Sequence, residues 1–201
     1  MMQNKLAIGI TGITGSGTST AAGILKEQGG FVISADKLAH DAIKIGREAY
    51  KKIVEVFGAS VLMLDGEINR KALGALVFGD ENNKKRALLE SIIHPIVLAE
   101  VRTLVKSHKN SFVVIDAPLL IESGLYIDCD EVWLITASDS LRITRIVKRD
   151  GIDIQAAERR LKSRQEEELA KHATAIIKNN GDYEGFKKQV LKTFEEVKYF
   201  V

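Results

Sequence analysis

The chain has 201 residues, 45% of them hydrophobic and 28% charged, which is enough apolar side chain for a real core and too much for a disordered chain. Its 29 lysines and arginines against 27 aspartates and glutamates leave a formal net charge of +2, so nothing at the level of the whole chain demands nucleic acid or an anionic membrane. A single cysteine, Cys129, excludes an internal disulfide framework and a cysteine-rich metal site, and the four histidines lack paired zinc spacing. No apolar stretch reaches membrane-spanning length, and the opening MMQNKLAIGITG is too short in its apolar part for a signal peptide. The expectation is a soluble cytoplasmic protein with neither nucleic acid nor membrane as partner.

Residues 5 to 20, KLAIGITGITGSGTST, run from a short apolar strand at Leu6 to Ile10 into a glycine loop. Gly12, Gly17 and Ser19 fit G-x-x-x-x-G-K-[ST] at every defined position except the lysine, where Thr18 stands. The glycines of such a loop let consecutive backbone N–H groups converge on a phosphate chain, and the helix that follows adds its positive end. On this reading Gly12, Thr14, Gly15, Ser16, Gly17, Thr18, Ser19 and Thr20 surround the phosphates of ATP, and the Ser19 hydroxyl ligates magnesium. What is absent is the ammonium that reaches the β- and γ-phosphates, because a threonine hydroxyl is short and neutral. Phosphate binding is therefore better supported than phosphoryl transfer. Gly15-x-Gly17 with an acid further on also imitates a dinucleotide-binding fingerprint, but Thr20 occupies the third glycine position.

The first helix is expected from about Thr18 to Gly29-Gly30, a helix-ending pair that leads into a second strand at Phe31 to Ile33. Asp36 follows, where strand ends in open α/β sheets face the ligand crevice. There it can accept a proton from an attacking hydroxyl or help hold magnesium, or it can cap a helix beginning at Lys37. Between residues 37 and 111 no strand is evident and helices are expected. Pro95 is expected to open one of them, with Val97, Leu98, Val101, Leu104 and Val105 on its apolar face, and His94 reads as a cap or core histidine.

The third strand, Phe112 to Ile115, ends in Asp116, as a Walker B strand ends in an acid that acts on magnesium through water. A structural strand end explains that residue equally well. A fourth strand at Glu131 to Thr136 precedes SDSLRITRIVKRD, in which Arg142, Arg145 and Arg149 share one helix face opposite Ile143, Ile146 and Val147. Arg159, Arg160, Lys162 and Arg164 form a second basic group before Gln165. These cations read either as a solvated helix surface or as a lid that brings positive charge over phosphates; RNA binding ranks lower, because no aromatics are interleaved for stacking. A fifth strand at Thr174 to Lys178 and a last helix at about Tyr183 to Lys198 complete an alternation that implies a parallel α/β sheet.

Taken together these segments resemble the dephospho-CoA kinase family. The resemblance rests on GITGITGSGTST, ISADKLAHD, INRKALGALVF, LLESIIHPIV, DAPLLIESGLYIDCDEVWLI, RITRIVKRD, RRLKSRQ and IIKNNGD, which cover nearly the whole chain in order. It implies an α/β P-loop NTPase three-layer fold with a five-stranded parallel sheet, all within one domain over residues 1–201. The core then takes residues 1–36, 111–138 and 171–201, a helical coenzyme-binding lobe about 37–110, and a helical lid about 139–170. It further implies transfer of the γ-phosphoryl of ATP to the 3′-hydroxyl of dephospho-CoA, with Mg2+. By the same resemblance Asp36 and Arg145 are catalytic, and Arg145, Arg149 and Asn180 are at ATP, with Asn179 beside Asn180 near the adenine. Asp36, His94, Leu119 and Glu122 fall on the acceptor side, with Ser19 and Asp116 at magnesium. Ser34, where many relatives carry aspartate, and Thr18 depart from the family pattern. Lys37, Arg145 and Arg149 are candidates for a substitute cation. The alternative is a kinase-like protein that binds nucleotide or coenzyme with little or no transfer. Nothing in the sequence sets the oligomeric state.

Overall fold

The computed structural model describes residues 5–77, 82–161 and 166–198. The chain divides into two compact units, Met1–Ser34 with Leu104–Val201, and Ala35–Thr103.

The first unit is built on five parallel strands, β1 (Leu6–Gly12), β2 (Phe31–Ser34), β3 (Phe112–Asp116), β4 (Glu131–Thr136) and β5 (Ala175–Lys178). They lie in the order β2-β3-β1-β4-β5. All of β1 and β3 is buried, which is why these strands read as continuous apolar runs rather than alternating ones. Leu6 pairs with Phe112 and Ile10 with Asp116, so β3 ends at the carboxyl edge of the sheet two residues short of the end of β1 at Gly12. That edge is where open α/β sheets bind ligands.

Helices α1 (Thr18–Glu27) and α9 (Tyr183–Val197) supply Ile24, Leu25, Phe186, Val190 and Phe194 to a core shared with Ile8, Ile10, Val114, Trp133 and Ile135. Each large side chain buried there stabilises the fold by about 1.5–3 kcal/mol. On the opposite face of β1, a Cβ at Gly9 would lie 2.7 Å from both Cys129 Sγ and Leu120 Cδ2, so the segment after β3 is packed directly on the sheet. Helix α9 starts where its sequence dictates, since Asp182 accepts a hydrogen bond from the Gly185 N–H at 2.8 Å. Between β4 and β5 come α6 (Asp139–Asp150), α7 (Ile154–Leu161) and α8 (Glu166–Ala170). Lys162, Arg164 and Gln165 of the second basic group lie outside the described residues.

The second unit holds α2 (Ala35–Ala42), α3 (Glu48–Phe57), α4 (Arg70–Val77) and most of α5 (Asn83–Ser107). Ala49, Ile53, Val61, Ile68, Leu73 and Val77 form its own core. Asn69 caps α4, its side-chain oxygen accepting from the Lys71 and Ala72 N–H groups at 3.1 Å each.

Two expectations are corrected. Pro95 does not open a helix but lies inside the 25-residue α5, and His94 with it. One proline forfeits one backbone hydrogen bond and crowds the preceding turn, a local cost that the apolar contacts on both sides of it offset. The expected face is nonetheless present, with Val97 and Val101 buried and Leu98, Leu104 and Val105 partly so. Asp36 does not cap a helix starting at Lys37, because α2 begins at Ala35 and Asp36 is already in its first turn.

Candidate active site

The loop after β1 is shaped by two glycines in particular. Gly17 has φ 103°, a left-handed conformation, and an added Cβ would lie 2.4 Å from Asn179 Nδ2. A Cβ on Gly12 would sit 2.5 Å from the Ile135 carbonyl oxygen and from Ser16 Oγ, and 3.0 Å from Thr18 Cγ2. Both positions exclude a side chain, one by conformation and closeness, the other by closeness alone. Gly17 is also the N-cap of α1, whose first turn, Thr18-Ser19-Thr20, contains no acid. The positive end of that helix therefore stays available to an anion.

Ser19 Oγ donates to Asp116 Oδ2 at 2.9 Å, joining the first turn of α1 to the carboxyl end of β3. The register explains the meeting, since Asp116 pairs with Ile10 two residues before the loop begins at Gly12. A hydroxyl and a carboxylate oxygen are hard donors of the kind magnesium takes, and that ion needs few protein ligands because it keeps waters and substrate phosphates. Among the described residues no group of three or more His, Cys, Asp or Glu offers an alternative metal site.

The carbonyl side of the loop is held by cations and one amide. Arg142 Nε donates to the Thr14 carbonyl at 3.0 Å. Arg145 Nη1 donates to Gly15 O at 3.2 Å and Ser16 O at 3.4 Å, and Asn179 Nδ2 reaches the same Ser16 oxygen at 2.8 Å. Arg145 Nη2 in turn donates to Asn179 O and Oδ1 at 3.1 Å each. Asn180 lies next to this cluster, its Oδ1 accepting the Ser138 N–H at 2.8 Å.

The three arginines of α6 thus have different fates. Arg142 is only 3% exposed and is not part of a solvated surface. Arg145, which the resemblance puts at ATP, holds the carbonyl side of the loop. Arg149 instead donates from Nε and Nη2 to Asp150 at 2.7 and 3.0 Å. Arg160 of α7 joins the same carboxylate. The hydrogen bond from Arg149 holds Asp150 below the usual carboxylate range, and it keeps Arg149 on its own helix end instead of on the loop.

Leu119 and Glu122 occupy the turn after β3, Leu119 half-buried and Glu122 exposed. That turn is fixed to β1 by Thr11 Oγ1 donating to Pro118 O at 3.0 Å. In the second unit, Asp36 lines a cavity of about 350 Å3 together with His40, Arg70, Leu73 and Ile93. His94 lies one residue beyond Ile93, half-buried within α5. A neighbouring cavity of about 300 Å3 shares His40 and Arg70 and adds Lys37 and Lys44. Arg70 was not singled out by its sequence, although it stands in INRKALGALVF; only folding brings it to the cavity that Asp36 lines.

A parallel sheet ordered β2-β3-β1-β4-β5, with a glycine phosphate loop after its central strand and a hydroxyl–carboxylate pair at the loop's end, defines a P-loop kinase. The dephospho-CoA kinase family profile matches residues 6–184, and the chain belongs to that family. A dephospho-CoA kinase of Moorella thermoacetica is 38% identical over 195 residues, covering 94% of this chain and 91% of the relative. A crystal structure from Thermus thermophilus superposes with a TM-score of 0.82 at 30% identity, covering 96% of this chain and 98% of the other. Dephospho-CoA kinase from Campylobacter jejuni gives a TM-score of 0.59 at 31% identity over 96% of this chain and 97% of that one.

Proposed function

We propose that this chain transfers the γ-phosphoryl of ATP to the 3′-hydroxyl of dephospho-CoA, giving ADP and CoA, the last step of coenzyme A synthesis. The observation that carries the reading is the Ser19–Asp116 hydrogen bond at 2.9 Å beside an anion-accepting loop, in a chain of this family. The loop residues Gly12 to Thr20 surround the phosphates, with the N–H groups of Ser16 and Thr20 kept within the loop by the Ile13 and Gly17 carbonyls. Ser19 and, through water, Asp116 would hold Mg2+, whose positive charge would offset that of the phosphates. Asp36 takes the proton of the acceptor hydroxyl, and the cavity it lines with Arg70 and His40 receives part of the acceptor; His94 in the second unit and Leu119 and Glu122 in the first are assigned to the acceptor by the family resemblance. Arg145 orders the loop and Asn180 lies on the nucleotide side, which Arg149 joins only by leaving Asp150.

Residues 1–36, 111–138 and 171–201 act as the nucleotide core, about 37–110 as the coenzyme lobe and about 139–170 as the lid. A cytoplasmic location suits the soluble substrates of this reading.

A panel of acceptors tests the assignment. With ATP and magnesium, dephospho-CoA should exceed adenosine, AMP and other nucleosides and nucleotides in kcat/KM by on the order of 10²-fold or more. A nucleoside or nucleotide that equals or beats dephospho-CoA overturns the substrate assignment while leaving the kinase class intact.

A further inference from the structure

We propose that Arg142 is a positioning residue that backs the phosphate loop and supplies, from behind, the positive charge that Thr18 does not supply in front. The inference rests on the kinase reading for its consequence but on ATP binding for its test.

Three consecutive peptide groups of the loop have their carbonyls taken on one side: Thr14 by Arg142, Gly15 by Arg145, and Ser16 by Arg145 and Asn179. In a trans peptide the N–H points opposite to the C=O. A guanidinium on each carbonyl therefore turns the attached N–H groups away from the arginines; that of Ser16 is taken by the Ile13 carbonyl at 3.0 Å, while those of Gly15 and Gly17 face the anion side with their polarisation deepened by the charged partners behind them. The loop is thus organised for an anion by cations behind it.

Arg142 is built into this arrangement more deeply than any other cation of α6. Its backbone oxygen lies 3.0 Å from where a Gly15 Cβ would be, so helix and loop are in direct contact. Its side chain is 4% exposed, and Nη1 donates at 2.8 Å to Asp139, a carboxylate that is itself 76% exposed. Nη2 is buried and finds no hydrogen-bond acceptor among the described residues. Asp139 is largely in water, where its field is screened, and it offsets the Arg142 charge only in part. A buried guanidinium left without full compensation is costly, and such a charge persists where a bound anion complements it. The cation that ordinarily meets such an anion in a phosphate loop is the lysine replaced here by Thr18.

The test is a cycle of Arg142→Gln, Arg142→Lys, Thr18→Lys and Thr18→Lys/Arg142→Gln, read by calorimetric titration with Mg-ATP and by CoA formation. Arg142→Gln should weaken ATP binding by about tenfold to a hundredfold, the scale of a hydrogen bond to a charged group. Thr18→Lys should then recover far more in the Arg142→Gln background than in the native one, because the two charges serve one ligand. Equal gains in both backgrounds overturn the proposal, as does native ATP affinity in Arg142→Gln. If Arg142→Gln does not fold, Arg142→Lys decides. An ammonium keeps the charge but cannot hold Thr14 and Asp139 as a fork does. ATP affinity within about threefold of native supports the charge role on the scale of one weak contact, whereas a tenfold loss reduces Arg142 to a brace. Native protein that binds ATP but forms no CoA refutes the kinase assignment and leaves these binding comparisons intact; native protein that binds no ATP contradicts both.

Discussion

Ser19 Oγ donates to Asp116 Oδ2 across 2.9 Å, so the residue after the substituted lysine position is tied to the end of the neighbouring strand. If the pair holds one magnesium ion, its members act as a unit. Ser19→Ala and Asp116→Asn should each lower kcat/KM by on the order of 10²-fold, and the double variant should cost little more than the worse single one. A magnesium titration checks this: both variants should need more metal for half-maximal rate. Additive losses with an unchanged magnesium requirement contradict a shared ion.

Gly17 combines a φ of 103° with a would-be Cβ 2.4 Å from Asn179 Nδ2. Gly17→Ala should destabilise the protein by about 1–3 kcal/mol and displace Asn179 from the loop. Urea unfolding reads the first effect and ATP titration the second. Native stability in this variant contradicts the conformational argument.

Asn179 and Asn180 are adjacent but unequal. Asn179 is 7% exposed and serves both the Ser16 carbonyl and Arg145. Asn180 is exposed and, among the described residues, its side chain accepts from the Ser138 N–H alone. Asn179→Ala should cost about 1–3 kcal/mol and Asn180→Ala less than about 1, measured by chemical unfolding.

Cys129 should be inert. Burial, with Asp128 and Asp130 beside it, pushes its thiol up to about 12. Because the folded value lies above that of the unfolded chain, this contribution to stability is complete below about pH 8.5 and is lost as pH rises toward 12. Iodoacetamide should label the native protein at neutral pH far more slowly than the urea-unfolded one. Comparable rates contradict the burial argument.

All five strands were legible in the sequence, each to within about two residues: β1, β3 and β4 because burial on both sides writes a continuous apolar run, and the less buried edge strands β2 and β5 from short apolar runs between helical patterns. The loop and Ser19 were legible from the motif, whereas spacing only grouped Arg145 with Arg142 and Arg149 on one helix face and the family resemblance singled it out. Pro95 misled because a local breaker signal does not register the contacts that carry α5 through it. Arg142 and Arg149 have equivalent positions in a helical pattern, yet one is buried on the loop and the other is paired to Asp150, a difference made by what α6 packs against. Arg70 was silent for a similar reason, since its meeting with the Asp36 cavity is a product of the tertiary fold.

Incubation with ATP, magnesium and dephospho-CoA, followed by mass, beside an Asp36→Asn control, tests the central claim most directly. The account predicts a product heavier by one phosphoryl group, made with Thr18 in place, and a loss of on the order of 10²- to 10⁴-fold in the control. No CoA from a protein that demonstrably binds both substrates would contradict it and make this a kinase-like binding protein.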